Sequence, residues 1–264
     1  MLKRFLRYFW DARLESTIAV KAKGKYLFAV CDFGPVTRMR AKTFEVKEPD
    51  TLEWIDSFRE GETLLDIGAN IGIYSMYCAL RGIRTVCIEP DALNFALLNL
   101  NTRLNSLGGL INSYCVAVYD ACKYSLFYSS SNTWGGALNS FDQSPLESVQ
   151  YNRLDSESYV QGCYGTTLDS FLDSIDFFPS HIKIDVDGNE LAILRGASTT
   201  LHDSRLKSLL IELDESNAEY KECIGQLESA GLDLVSKQIS EHVKNAGLIN
   251  SISNHIFSRL QRSN

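Results

Sequence analysis

At 264 residues the chain is long enough to bury one good core, as a single domain or as a domain with a modest extension. Hydrophobic residues make up 45% of it and no low-complexity tract interrupts them, which excludes wholesale disorder. A net charge of -7 leaves nothing global to attract nucleic acid or an anionic membrane.

The first ten residues, Met1 to Trp10, are basic and aromatic. They are too short to span a bilayer and lack the apolar core and cleavage site of a signal peptide. Two readings remain: a peripheral membrane contact, with Lys3, Arg4 and Arg7 at the headgroups and Phe5, Leu6 and Phe9 inserted, or a helix packed on its own domain. From Thr17 to about Phe44 the pattern predicts paired strands, Ile18-Ala19-Val20 and Tyr26 to Val30, turned at Lys23-Gly24-Lys25. Glu48-Pro49-Asp50-Thr51 then starts a helix carrying Leu52, Trp54, Ile55 and Phe58. Residues 1–60 thus form an N-terminal β/α extension, and 61–264 the main domain.

Thr63 to Glu89 reads as strand, glycine turn, helix and second strand. Thr63 to Ile67 is a short apolar run containing Asp66, and Gly68-Ala69-Asn70-Ile71-Gly72 follows as a tight turn. Ile73, Met76, Tyr77 and Leu80 recur at helical spacing, and Gly82 ends the helix. The second strand, Thr85 to Ile88, closes on Glu89, about 20 residues past the turn, where a doubly wound sheet holds ribose hydroxyls. A dinucleotide site wants G-x-G-x-x-G for its pyrophosphate. Here an acid precedes the first glycine and Asn70 sits at the centre, which suits an ammonium. A ligand with a nucleoside at one end and an amino acid at the other is S-adenosylmethionine.

After Pro90, Leu93, Ala96, Leu97, Leu100 and Leu104 mark a second helix, and Asn112 to Val118 a third strand. From about 119 to 165 the helical signal gives way to an inserted loop or hairpin region with Trp134 to Ser140 at its centre, expected near bound substrate. A helix around Leu168 to Leu172 leads into the strand Ile182 to Asp185, and Glu190 to Ala197 continues as helix. Leu209 to Leu213 is another strand, Tyr220 to Leu227 another helix, and Leu232 to Val235 with Ser253 to Leu260 a closing pair of strands. This alternation predicts an α/β fold, a doubly wound and mostly parallel sheet with an antiparallel edge strand.

Four stretches together resemble the FkbM family of S-adenosylmethionine-dependent methyltransferases: Leu65 to Gly72, Ile88-Glu89-Pro90, Ile182 to Glu190 continuing through Leu194-Arg195-Gly196-Ala197, and Leu210-Ile211-Glu212. The family usually writes the third as K-I-D-V-E-G-x-E, so Asp187 replaces a Glu. The resemblance covers about Glu48 to Leu213. It implies the Rossmann-like class I methyltransferase fold with seven strands, and methylation of a hydroxyl on a sugar, glycan or secondary metabolite. Carried over by position, Asp66, Gly68, Ala69 and Asn70 line the amino-acid end of the cofactor and Gly72 lets the helix approach it. Glu89 takes the ribose, and Val116 and Ala117 border the adenine.

An alcohol is a poor nucleophile near neutral pH, so a base or a metal helps it. Asp185 ends the fourth strand at the edge where such sheets bind ligands, with Asp187 and Glu190 beside it as catalytic candidates and Glu212 expected in the same acidic cluster. The cluster could act through Asp185 as base or hold a divalent cation on oxygen ligands, or Asp187 and Glu190 could merely cap the following helix. No dedicated metal site is expected, because the four histidines are far apart and the seven cysteines form no C-x-x-C pair. Scattered and odd in number, those cysteines read as reduced thiols of a cytoplasmic protein. The alternatives are a non-catalytic cofactor-binding scaffold and a nicotinamide oxidoreductase, the latter lacking its glycine spacing here. No N/D-P-P-Y/F tetrapeptide presents a flipped base, which opposes a nucleic-acid substrate.

Overall fold

A computed structural model of the chain describes residues 16–130, 132–142, 159–238 and 251–259. The basic, aromatic start lies outside the described residues. Strands β1 (Thr17–Ala22) and β2 (Lys25–Cys31) form a hairpin. Helix α1 (Pro35–Lys47) and helix α2 (Pro49–Asp56) follow. The expectation of strands as far as Phe44 is therefore wrong for its second half. Pro35 starts the helix, where its missing N–H removes nothing, and Thr37, Ala41 and Phe44 face inward at helical spacing. Thr37 disguises that face by being polar: its hydroxyl donates to the Gly34 carbonyl at 2.9 Å and accepts from the Phe33 amide at 3.1 Å.

The central alternation runs β3 (Thr63–Ile67), α3 (Ile73–Ala79), β4 (Arg84–Ile88), α4 (Ala92–Leu104) and β5 (Ile111–Tyr114). The third strand expected over 112–118 is broken. Tyr114 gives its carbonyl to the Glu89 amide at 3.1 Å, and the chain then leaves for a second sheet. That sheet holds β6 (Ala117–Val118), β7 (Lys123–Ser129), β8 (Ser140–Phe141) and β9 (Tyr159–Thr166), in the order β6-β9-β7-β8. Helix α5 (Leu168–Asp173) returns to the main sheet and β10 (His181–Ile184), α6 (Glu190–Arg195), α7 (Ser198–His202), β11 (Ser208–Asp214), α8 (Tyr220–Ser229), β12 (Asp233–Gln238) and β13 (Ile252–Ser258) complete it.

The seven main strands lie in the order β12-β13-β11-β10-β3-β4-β5. Strands β11, β10, β3, β4 and β5 are parallel, while β13 runs antiparallel to both of its neighbours. The antiparallel strand is thus second from the edge rather than at it. Burial explains the choice: Ser253 to Phe257 of β13 are all buried, whereas Asp233, Leu234, Val235 and Lys237 of β12 are exposed and make the more tolerable edge. Apolar layers cover both faces of the sheet, one around Leu65, Ile184, Leu194 and Phe257, the other around Phe44, Met76, Cys87 and Leu97. None of the described helices is long and apolar enough to cross a membrane.

Away from the ligand-binding edge, a buried polar chain pins the starts of β10 and β11. Trp54 Nε1 donates to Ser208 Oγ at 2.8 Å, His181 Nδ1 lies 2.7 Å from that hydroxyl, and His181 Nε2 lies 2.9 Å from Glu62 Oε2. Lys207 Nζ reaches the other Glu62 oxygen at 2.7 Å. Burial raises the Glu62 pKa, but bonds from the Arg59 amide, Lys207 and His181 outweigh it and hold it at about 2. A depressed carboxylate stabilises the fold above its unfolded value and loses that contribution as pH falls towards the folded one. Glu62→Gln is therefore expected to destabilise the protein at pH 7 by at least about 1 kcal/mol, with buried partners left unsatisfied. In urea titrations the gap from wild type should narrow as pH drops from about 4.5 towards 2. A gap that stays constant would refute the ionic account.

Candidate active site

The carboxyl ends of β3, β4 and β10 converge on a cavity of about 250 Å³. After β3 the chain turns back sharply: the Gly68 and Ala69 amides both donate to the Ile88 carbonyl, at 2.9 and 3.1 Å. Gly68 has φ +80°, and a Cβ there would lie 2.0 Å from the Asp185 carbonyl oxygen, so only glycine fits. Asn70, at φ +51°, takes the bend without being glycine because its own Oδ1 accepts from the Ile71 amide at 2.9 Å. Its amide donates to Glu89 Oε2 at 2.7 Å, and Glu89 Oε1 accepts from the Asp91 amide at 2.9 Å. Burial pushes Glu89 up to about 8 despite those two bonds.

Of the residues expected at the cofactor, Gly68, Asn70, Glu89 and Ala117 line this cavity. Asp66 and Ala69, with Gly68 and Asn70 again, bound a neighbouring space of about 40 Å³. Gly72 lines neither. Its positive φ and the 3.1 Å from a built Cβ to Leu98 Cγ place it in the packing of α3 on α4. Val116 lines neither and packs on the core, while Val118, which sequence reasoning passed over, takes the place beside Ala117. Ile67, Ile88, Phe127, Phe141 and Ile193 complete an apolar wall.

The loop from Trp134 to Asn139 closes the cavity and is tied down from four elements. Asn70 Nδ2 and Asn94 Nδ2 donate to the Gly136 carbonyl at 2.7 and 3.1 Å, and the Gly135 amide donates to Asn94 Oδ1 at 2.8 Å. Arg40 Nε donates to the Gly135 carbonyl at 2.7 Å. Asp187 Oδ2 accepts from the Leu138 and Asn139 amides at 2.6 and 3.0 Å. Arg40, Lys47 and Asn94 were not foreseen. Pro35 at a helix start was the available signal for the first two, and Asn94 is a polar residue on the buried face of α4, beside Leu97, Leu98 and Asn101.

Asp185 sits at the end of β10, with Lys183 Nζ 2.6 Å from its Oδ2. Burial raises its pKa, but Lys183 and then Lys47 prevail and hold it at about 2. Asp187 is pushed the other way: burial, together with the Asp185 charge, raises it to about 6 despite its two amide bonds. Glu190 reaches about 8 through burial first and then the charges of Asp187 and Asp185, although its Oε1 accepts from the Gly188 amide at 3.0 Å. Glu212, on β11, is raised well above the carboxylate range by burial and by Asp185 and Glu48. Four neighbouring acids thus hold their protons with different strengths, and Asp187 is poised to take one near neutral pH. Among the described residues no cluster of three or more His, Cys, Asp or Glu side chains is arranged to hold a metal ion.

The donors fit a ligand that is a nucleoside at one end and an amino acid at the other. Glu89 offers a carboxylate to a diol and the apolar wall offers a slot to a flat base. Asp66, which is 1% exposed, accepts from Ser75 Oγ through Oδ2, while its Oδ1 is buried with no partner. Such an orphaned acceptor suits an ammonium.

No curated protein matches the chain in sequence. Among solved structures it is similar to the methyltransferase FkbM from Methylobacillus flagellatus KT, at 17% identity and TM-score 0.48, covering 76% of this chain and 45% of that one. The chain thus spans less than half the length of that relative. It is also similar to Aeropyrum pernix fibrillarin in complex with natively bound S-adenosyl-L-methionine, at 11% identity and TM-score 0.49, over 93% and 84% of the two chains. With the M. jannaschii tRNA m1G37 methyltransferase it shares 10% identity at TM-score 0.50, over 94% and 58%, a likeness of fold. The family model "Methyltransferase FkbM domain" matches residues 66–234. That span contains every residue lining the larger cavity except Arg40, Lys47 and Ile252, and the chain belongs to the FkbM methyltransferases, with S-adenosylmethionine as methyl donor.

Proposed function

We propose that the chain methylates a hydroxyl of a sugar, glycan or related small metabolite, in the cytoplasm. One observation carries this reading: Asp187 and Glu212 line both the donor cavity and an adjoining cleft of about 260 Å³, where an acceptor would meet the donor. Ser140, Asn189, Glu190, Asp214 and Asn217 also face the cleft, and no Lys or Arg among the described residues does. Hydrogen-bonding groups without a cation suit a polyol and oppose a phosphate-bearing acceptor such as nucleic acid. Seven free cysteines support a reducing compartment.

When bound, S-adenosylmethionine would supply an electrophilic methyl group on a sulfonium for in-line transfer to the acceptor oxygen, its S–CH3 bond breaking and the neutral thioether S-adenosylhomocysteine leaving. The chain's part is to place that oxygen and remove its proton. Asp187, held through Oδ2 by the loop amides, takes the hydroxyl proton on Oδ1 as the C–O bond forms. Asp185, its charge committed to Lys183, fixes the field around Asp187, and Glu190 and Glu212 meet the acceptor's other hydroxyls. Phe127, Phe141 and Ile193 keep water from the donor cavity.

Titration calorimetry with S-adenosylmethionine is expected to give binding that Glu89→Ala weakens about 10- to 100-fold, the loss of two hydrogen bonds to its carboxyl group. NAD serves as the control ligand. Incubation with hydroxylated sugars and glycans should then add one methyl group by mass spectrometry. Binding of NAD instead of the methyl donor, or methylation confined to nitrogen acceptors, would sink the reading.

A further inference from the structure

Helix α1 lies ahead of the family-matched segment, yet Arg40 and Lys47 line both the donor cavity and the small space beside Asp66. Three cations border that small space, and they are committed differently. Lys183 is paired with Asp185 at 2.6 Å, and Lys47 with Glu48 at 2.7 Å. Arg40 has no ion pair among the described residues. Its Nε donates to a neutral carbonyl, that of Gly135, at 2.7 Å, and its two terminal nitrogens make no hydrogen bond there. A half-buried guanidinium in this setting is a ready receptor for a planar anion. Across the same space Asp66 Oδ1 is a buried acceptor with no donor. An unpaired guanidinium and an orphaned carboxylate oxygen on one small cavity form a receptor for a zwitterion.

We propose that Arg40 binds the α-carboxylate of the donor's methionine moiety, with Asp66 taking its α-ammonium, so that the site selects ligands with an intact amino-acid end. The inference rests on the donor reading above and adds a specificity residue from outside the matched domain. Because Nε of the same side chain holds Gly135, the donor carboxylate and the loop over the cavity share one guanidinium. Substitution of Arg40 can therefore act through the ligand or through the loop, and the test must separate them.

The ligands are S-adenosylhomocysteine, its carboxyl methyl ester, and 5′-methylthioadenosine, which keeps the adenosine and sulfur but has no amino acid. Calorimetry is run on wild type, Arg40→Gln and Arg40→Lys, after denaturation curves show each folded. Wild type is expected to bind S-adenosylhomocysteine at least about 10-fold more tightly than either of the others, the scale of a charge-assisted bond. Arg40→Gln should lose that preference while its affinity for 5′-methylthioadenosine stays within about 3-fold of wild type, and Arg40→Lys should keep part of it. Equal weakening of all three ligands by Arg40→Gln would overturn the proposal and leave Arg40 as a loop clamp. An undiminished preference for the free carboxylate in Arg40→Gln would overturn it too. Failure of wild type to bind any of the three would instead bring down the donor reading itself.

Discussion

Asp187→Asn is expected to lower kcat by about 10²- to 10⁴-fold, the usual loss when a positioned base is removed, with donor affinity almost unchanged. The isosteric amide is informative because its oxygen can still accept the Leu138 and Asn139 amides that Asp187 Oδ2 accepts now. The loop stays tied and only basicity is lost. Asp187→Ala removes both, so it should raise the KM for the donor as well. In wild type, protonation of Asp187 near 6 removes the base, and kcat should therefore rise with pH through about 6 and level off. That limb should vanish in Asp187→Asn. If Asp187→Asn retained more than about a tenth of wild-type kcat, one of the other acids would have to be the base. Asp185 is poorly suited to that role, since Lys183 holds it at about 2.

Gly68→Ala should have the largest effect on the fold of any single methyl addition. Its Cβ would lie 2.0 Å from the Asp185 carbonyl oxygen and 2.9 Å from the carbonyl carbon, both backbone atoms of an inner strand's end. Overpacking costs about 1–3 kcal/mol and a left-handed conformation about 1–2, so a loss of about 2–5 kcal/mol is expected in urea titrations. The displaced turn should also abolish donor binding. Gly188→Ala is the control: φ is +97° but nothing lies within 4 Å of the added atom, leaving the conformational part alone, about 1–2 kcal/mol. Equal losses in the two variants would mean that β10 gives way and that the close approach is not rigid.

The central strands and the glycine turn were legible because local rules and the tertiary structure agree there. Apolar runs become inner strands, and an acid at the end of β4 can only meet the turn after β3. Where a residue's role is set by a distant carbonyl, the pattern is silent. Asn94 and Arg40 act on Gly135 and Gly136, more than forty positions away, and nothing in their neighbours marks it. Helix α1 was missed because Thr37 satisfies itself within its own turn and so looks like a surface residue. The 112–118 strand was overextended because Ala117 and Val118 prolong an apolar run that changes partners, pairing with Gly165 and Thr166 of β9 instead of continuing along β4. Glu212 was seen as an acid near the site, but its strength as a proton holder depends on charges from three other elements.

The second-from-edge place of β13 has a bearing on how the chain is made. Strand β11 finds its outer neighbour in residues 252–258, some forty positions later, and among the described residues β12 pairs with that same strand alone. A chain still emerging from the ribosome, with β3, β4, β10 and β11 already docked, therefore carries the backbone of Leu209 to Leu213 as an open edge, apolar but for Glu212. Such an edge invites pairing with another nascent chain. Closure thus waits for a late, buried strand, and a ribosome stalled before residue 252 leaves the outer edge of β11 uncovered.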